Sequence, residues 1–234
     1  MSKTVGIIGG MGPKATADLF NKIIDYTDAS CDQEHLHILV DSNSQIPDRS
    51  SYILGKGENP IKKLTETAMR LKDGGAEILI MPCNTAHYFY DELTECVNVP
   101  FINMIEEVEK YIVKNYGKCK VGLLATLGTY EGKIYEKYCK KYGIEIVVPT
   151  KETKEKLFDA IYKVKAGEKN FNADFAMDIL NEFKEKKIRI MILGCTELPL
   201  IFEPLKNELK DFEFISSTDI LAKKTVEIAS QDNG

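Results

Sequence analysis

The sequence predicts an α/β fold of two lobes of similar plan, each a parallel sheet flanked by helices. Three observations carry that expectation. Short apolar runs alternate with amphipathic stretches, as the crossover connections of parallel strands require. The chain also repeats itself: Val5-Gly6-Ile7-Ile8 aligns with Val121-Gly122-Leu123-Leu124, and Gly12 with Gly128. Finally, Cys83 ends the run Ile78-Leu79-Ile80-Met81-Pro82, and Cys195 ends Ile190-Met191-Ile192-Leu193-Gly194. Each cysteine is expected at the carboxyl end of a strand, the edge where open parallel sheets take ligands.

Element by element, Val5 to Ile8 reads as a strand closed by Gly9-Gly10. From Pro13 onward, Ala17, Phe20, Ile23 and Ile24 fall on one face of a helix. Leu36 to Val40 is the second strand. Asn43 to Pro60, rich in proline, glycine and polar residues, reads as a long loop, and such loops inside compact domains are often functional. Pro60 to Gly74 is a helix stopped by Gly74-Gly75, and Ile78 to Met81 is the strand before Cys83. The second half offers strands at Val121 to Ala125, Ile144 to Val148 and Ile188 to Leu193, with helices at Tyr130 to Tyr142 and Phe171 to Lys186.

A chain of 234 residues suffices for one large domain or two small lobes. Its 44% apolar and 29% charged residues exclude a disordered polymer. The net charge of −5 argues against a nucleic-acid surface. No apolar stretch approaches the roughly 18 residues of a membrane helix, and the N-terminal run lacks the basic segment of a signal peptide. The six cysteines are scattered, with no C-x-x-C. That pattern predicts free thiols in a reducing cytoplasm, and with only His35, His37 and His87 it argues against a structural metal.

Most free cysteines are small core hydrophobes, and Cys31, Cys96, Cys119 and Cys139 are read that way. Cys83 and Cys195 are not, because polar residues follow them at once. A helix starting there would aim backbone N–H groups at the thiol and favour thiolate. His87, four residues after Cys83, would lie on the same face of such a helix, either tuning the thiol or serving structure. Gly10-Met11-Gly12-Pro13-Lys14-Ala15 matches the G-x-G-x-x-A dinucleotide fingerprint, with Asp41 as a ribose-binding acid. The other reading is a backbone nest for a carboxylate. Arg49, after the rigid Ile46-Pro47 turn, offers a planar fork for a carboxylate. Lys165 ends a helical pattern as Lys163 does, and pattern alone does not separate the two.

Taken together, Gly9-Gly10-Met11-Gly12-Pro13, Ile46-Pro47-Asp48-Arg49, Pro82-Cys83-Asn84-Thr85-Ala86-His87, Ala125-Thr126-Leu127-Gly128-Thr129 and Gly194-Cys195-Thr196-Glu197-Leu198-Pro199 resemble the cofactor-independent aspartate/glutamate racemases, the aspartate branch above all. The resemblance runs essentially end to end. It implies two pseudo-symmetric lobes with the active site in the cleft between them, residues 1–100 plus 210–234 forming the first and 101–209 the second. The last helix, Ser217 to Ala229, would return to the first lobe. The resemblance further implies a homodimer that uses neither pyridoxal phosphate nor metal. Cys83 and Cys195 match the catalytic pair, and Arg49 and Lys165 the carboxylate ligands. Met11, Asn84, Thr85, Thr126, Thr129 and Thr196 match positions around the substrate. The expected activity is interconversion of L- and D-aspartate, one cysteine on each face of Cα. Glutamate is the alternative substrate, and a non-catalytic acidic amino-acid binding protein and a nucleotide-binding oxidoreductase are the competing readings.

Overall fold

The computed structural model describes residues 2–168 and 170–231. The first half builds β1 (Val5–Gly9), α1 (Pro13–Tyr26), β2 (Ile38–Ser42), α2 (Arg49–Ile53), α3 (Ile61–Asp73), β3 (Ile78–Ile80) and α4 (Tyr90–Val97). Then follow α5 (Met104–Tyr116), β4 (Lys120–Ala125), α6 (Leu127–Glu131), α7 (Glu136–Tyr142), β5 (Glu145–Val147), α8 (Lys151–Ala166), α9 (Ala173–Glu185) and β6 (Ile190–Gly194). The chain ends with α10 (Pro199–Phe202), β7 (Glu213–Ser216) and α11 (Ser217–Ala229).

Two parallel sheets result, ordered β2-β1-β3 and β5-β4-β6-β7. The wiring is the same in both: the first strand of each half lies in the middle, with its second and third strands on either side. Gly6 sits between Leu39 and Leu79, and Gly122 between Val147 and Met191. A Cβ on Gly6 would come within 2.8 Å of Ala76 and Leu79, and one on Gly122 within 2.5 Å of Met191. The repeated glycines therefore mark where helices and neighbouring strands close on the central strand. Strands β1 and β3 are buried throughout, since helices cover both faces.

The helices owe their boundaries to local chemistry. Asn103 caps α5 by accepting from the Ile105 and Glu106 N–H groups, at 3.0 and 3.1 Å. Thr126 caps α6 and Thr150 caps α8. Helix α11 begins where β7 leaves the second sheet, yet Leu221, Ala222 and Ala229 are buried with Val5, Ile7, Leu19 and Ile23 of the first. Lys22 and the Tyr26 hydroxyl on α1 meet Asp219 on α11 at 2.9 and 2.6 Å. By its pairing with β6, β7 belongs to the second sheet, so the chain crosses to the first lobe at Ser217 rather than at residue 210.

Several sequence expectations need correction. The stretch Asn43 to Pro60 is not all loop: it holds α2, nucleated where Asp48 Oδ1 accepts from the Ser51 N–H at 2.7 Å. Tyr130 to Tyr142 is not one helix, because Gly132 ends α6 and Lys133 takes φ 48°, a left-handed value that breaks the run. The second strand begins at Ile38 rather than Leu36. Cys31 and Cys96 are exposed rather than in the core: Cys96 is on the outer face of α4, which buries Leu93 and Val97.

Candidate active site

The two cysteine loops meet across the cleft. Cys83 follows β3, and its N–H donates to the Met81 carbonyl at 2.9 Å in a tight turn around Pro82. Cys195 follows β6. The Thr196 hydroxyl donates to the Pro82 carbonyl at 3.3 Å, tying the loop of one cysteine to that of the other. Asn84 is fixed where the lobes join: its amide donates to Ser217 at the start of α11 at 3.0 Å, and the Tyr135 hydroxyl of the opposite lobe donates to its carbonyl at 2.6 Å. Thr85, Thr126 and Thr129 form a triangle of hydroxyls at 2.9–3.0 Å, joined by Ser50 at 3.3 Å from Thr126. Gly128 permits this approach, since a Cβ there would lie 2.7 Å from the Ser50 Cα.

These contacts enclose a pocket of only about 10 Å3, lined by Met11, Asp48, Arg49, Ser50, Cys83, Asn84, Thr85, Thr126, Lys165, Cys195, Thr196 and Glu197. Nine of the ten expected site residues therefore line one pocket. Thr129 does not; it stands behind Thr85 and Thr126 as their hydrogen-bond partner. Asp48, Ser50 and Glu197 line it without having been expected. Glu197 could have been read from its place two residues after Cys195. Asp48 and Ser50 flank Arg49, and tertiary contacts hold them there: Ser50 meets Thr126 and Gly128 at α6, and Asp48 meets Tyr162 on α8. A larger groove of about 590 Å3 beside β7 and α11 contains none of these residues.

Arg49 is 7% exposed and its guanidinium is held by carbonyls: Nη1 donates to Pro47 at 3.0 Å and to Ile46 at 3.3 Å, and Nη2 to Met11 at 3.1 Å. Its Nε–H has no protein partner. A buried guanidinium aimed by neutral carbonyls keeps its charge for an anion. Lys165, rather than Lys163, faces the pocket. Burial opposes its charge, but Glu197, Cys195 and Cys83 nearby outweigh that and raise its pKa, so it stays cationic. The Cys195 thiol is driven well up by burial and by Glu197, whose Oε2 accepts from its Sγ at 3.1 Å.

Helix-terminus activation of the thiols is not what the fold provides. A 3-10 turn (Thr85–Phe89) follows Cys83, and the helix after Cys195 is the four-residue α10. His87 does not touch the Cys83 sulfur. Its Nδ1 donates to the Cys83 carbonyl at 2.9 Å, and its Nε2 accepts from the Met104 N–H at 3.1 Å. Burial lowers its pKa to about 4, so it is a neutral brace. The glycine turn is no dinucleotide cradle either. Asp41 is paired with Arg70 at 2.7 Å, and Gly10 (φ 89°) packs against the Asn43 backbone, where a Cβ would lie 2.3 Å from its carbonyl carbon.

Comparison with known proteins agrees with this architecture. The family model described as Asp/Glu/Hydantoin racemase matches residues 8–225. The chain is 29% identical to the broad specificity amino-acid racemase RacX of Bacillus subtilis, over 95% of this chain and 96% of that one. It is also 29% identical to a glutamate racemase of Aquifex pyrophilus, over 74% of this chain and 67% of that one. The solved structure of Picrophilus torridus aspartate racemase superposes with a TM-score of 0.81 at 29% identity, covering 97% of this chain and 94% of that one. With two like-wired parallel sheets, paired cysteine loops and a family match over nearly its whole length, the chain belongs to the Asp/Glu/hydantoin racemase family.

Proposed function

We propose that this protein racemises an acidic amino acid, aspartate first, by moving the Cα proton between Cys83 and Cys195. The observation that carries this reading is one narrow, largely buried pocket in which a thiol from each lobe is accompanied by two cations, Arg49 and Lys165. A dicarboxylic amino acid presents two carboxylates to such a pair. Inversion needs a base on one face of Cα and an acid on the other, and thiols from opposite lobes meet that demand without either swinging across the substrate.

In one direction the Cys83 thiolate takes the Cα proton, leaving an electron pair at Cα, and Cys195 S–H gives its proton to the opposite face. In the other direction Cys83 must hold a proton, as it does after the forward transfer, and Cys195 must have lost its own; the Glu197 carboxylate bonded to Cys195 is the acceptor at hand. Thiolate then forms as Glu197 becomes the neutral acid. A free thiol has a pKa of only about 8.5, far below that of a Cα–H beside a carboxylate. The carbanion therefore needs Arg49, Lys165 and the Asn84, Thr85, Thr126 and Thr196 polar groups acting in a largely buried site. One methylene is worth only about 1–3 kcal/mol, so glutamate is the alternative substrate.

The test is racemisation of each enantiomer of aspartate and glutamate in heavy water, followed by chiral chromatography and mass spectrometry. The product enantiomer of aspartate is expected to carry solvent deuterium at Cα. Racemisation without exchange would sink the two-base scheme, and turnover of glutamate alone would reassign the substrate.

A further inference from the structure

The amide of Asn84 lines the pocket beside Cys83, and the groups that orient it come from distant parts of the chain. Three hydrogen bonds run in one line. The Tyr135 hydroxyl donates to Asn84 Oδ1 at 2.6 Å, Asn84 Nδ2 donates to Ser217 Oγ at 3.0 Å, and Ser217 Oγ donates to the Leu193 carbonyl at 3.1 Å. The line thus passes from the loop of Cys83 to β6, two residues before Cys195. The side chains of Tyr135, Asn84 and Ser217 are all buried.

The supply of protons along this line decides which way the amide faces. A carbonyl only accepts, so Leu193 takes the single hydroxyl proton of Ser217. Toward Asn84 the Ser217 oxygen can then only accept, and the amide atom opposite it is the nitrogen. The amide oxygen is left to Tyr135, whose one proton it takes. Burial above all raises the Tyr135 hydroxyl well above the usual tyrosine range, so the phenol stays neutral and keeps that proton. Its ring is held against the backbone just before Cys195: a Cβ on Gly194 would lie 3.2 Å from the ring carbon Cε2. An amide nitrogen carries two hydrogens, and Ser217 uses one. The second has no acceptor among the described residues, and Asn84 borders the pocket, where an acceptor can stand.

We propose that Tyr135 and Ser217 are positioning residues, locking the Asn84 amide so that an N–H, not its carbonyl, meets a carboxylate of the bound amino acid. Without the phenol, the amide oxygen has no buried donor, and nothing on that side opposes rotation of the amide. Rotation would turn a carbonyl lone pair toward the carboxylate and repel it. The identity of the ligand rests on the function proposed above.

The test is calorimetric titration of the full chain, beside steady-state kinetics. The ligand is DL-aspartate, whose composition turnover does not change, with DL-glutamate titrated in parallel. Tyr135→Phe keeps the ring against Gly194 and deletes the hydroxyl. Kd and KM are expected to rise roughly tenfold, with kcat changed far less. Asn84→Ala should weaken binding at least as much. Adding Tyr135→Phe to Asn84→Ala should weaken it no further, since Tyr135 acts through the amide alone. Ser217→Ala should give a smaller rise in Kd, and it decides if Tyr135→Phe does not fold. A purely structural role would lower the melting temperature of Tyr135→Phe and leave Kd unchanged, which overturns the proposal. A tenfold loss from Tyr135→Phe on the Asn84→Ala background overturns it too. A wild-type protein that binds either acid without racemising it refutes the proposed function and leaves this comparison standing. One that binds neither acid overturns both.

Discussion

Cys83 and Cys195 leave equivalent strands, but their neighbours differ. Two residues after Cys195 stands Glu197, bonded to its sulfur at 3.1 Å. Two residues after Cys83 stands Thr85, whose hydroxyl is spent on Thr126 and Thr129. Only one of the two thiols has a carboxylate on its sulfur. Glu197→Gln keeps an oxygen in reach but removes the proposed proton acceptor, and kcat/KM is expected to fall about 10²-fold. The loss must be equal for the two enantiomers, because racemisation has an equilibrium constant of one. Steady-state kinetics from each enantiomer checks this, and unaltered kcat/KM would confine Glu197 to a structural role. At this scale the sequence was informative wherever a residue belongs to a short motif at a strand end, as Cys83, Asn84, Thr85, Cys195 and Thr196 do. It was silent on Tyr135, whose meaning arises only when the turn before α7 meets a residue 51 positions away.

Between α5 and α7 lies a second acid–thiol pair, Glu109 and Cys139, neither of which lines the cleft pocket. Glu109 is 0% exposed and accepts from Cys139 Sγ at 3.0 Å, while its other oxygen has no partner. Glu136 on α7 also has a buried, unpartnered oxygen, and Cys119 adjoins the group at the start of β4. Burial above all, with Glu136 adding to it, raises the Glu109 pKa to about 7; the Cys139 hydrogen bond opposes this. The folded protein thus keeps a proton that the unfolded chain releases near pH 4.5. The stability is fully present below that pH and is lost as pH rises through about 7, amounting to about 3 kcal/mol. Glu109→Gln is expected to flatten this dependence, and melting temperatures from pH 5 to 8 read it directly. A wild-type profile already flat over that range would contradict the assignment. The same region shows why some elements were hard to read. The apolar spacing through Tyr130 to Tyr142 is continuous, and only the backbone at Gly132 and Lys133 divides it. Buried central strands announce themselves as unbroken apolar runs, whereas β7, a four-residue edge strand beginning with Glu213, carries no comparable signal.

For the molecule as a whole, α11 is the weld. It starts at the edge of the second sheet and buries its apolar face beside α1 and β1 of the first, while Asn84 reaches back to Ser217 at its start. Neither lobe keeps its core or its cysteine loop intact if the other melts. Calorimetry is therefore expected to record a single unfolding transition with matching van't Hoff and calorimetric enthalpies. Two resolved transitions would mean that the lobes are independent.

The shared wiring of the two sheets has a further consequence. Two separate copies of one half, paired about a two-fold axis, would be compelled to offer identical side chains to both sides of whatever they held. The Cα of an amino acid carries four different substituents, and a symmetric vise would leave half of its grips facing the wrong group. Carrying both halves on one chain lifts that compulsion. Arg49 can stand on one jaw and Lys165 on the other, and Glu197 can serve one thiol only, while the matched strand ends still hold Cys83 and Cys195 in register.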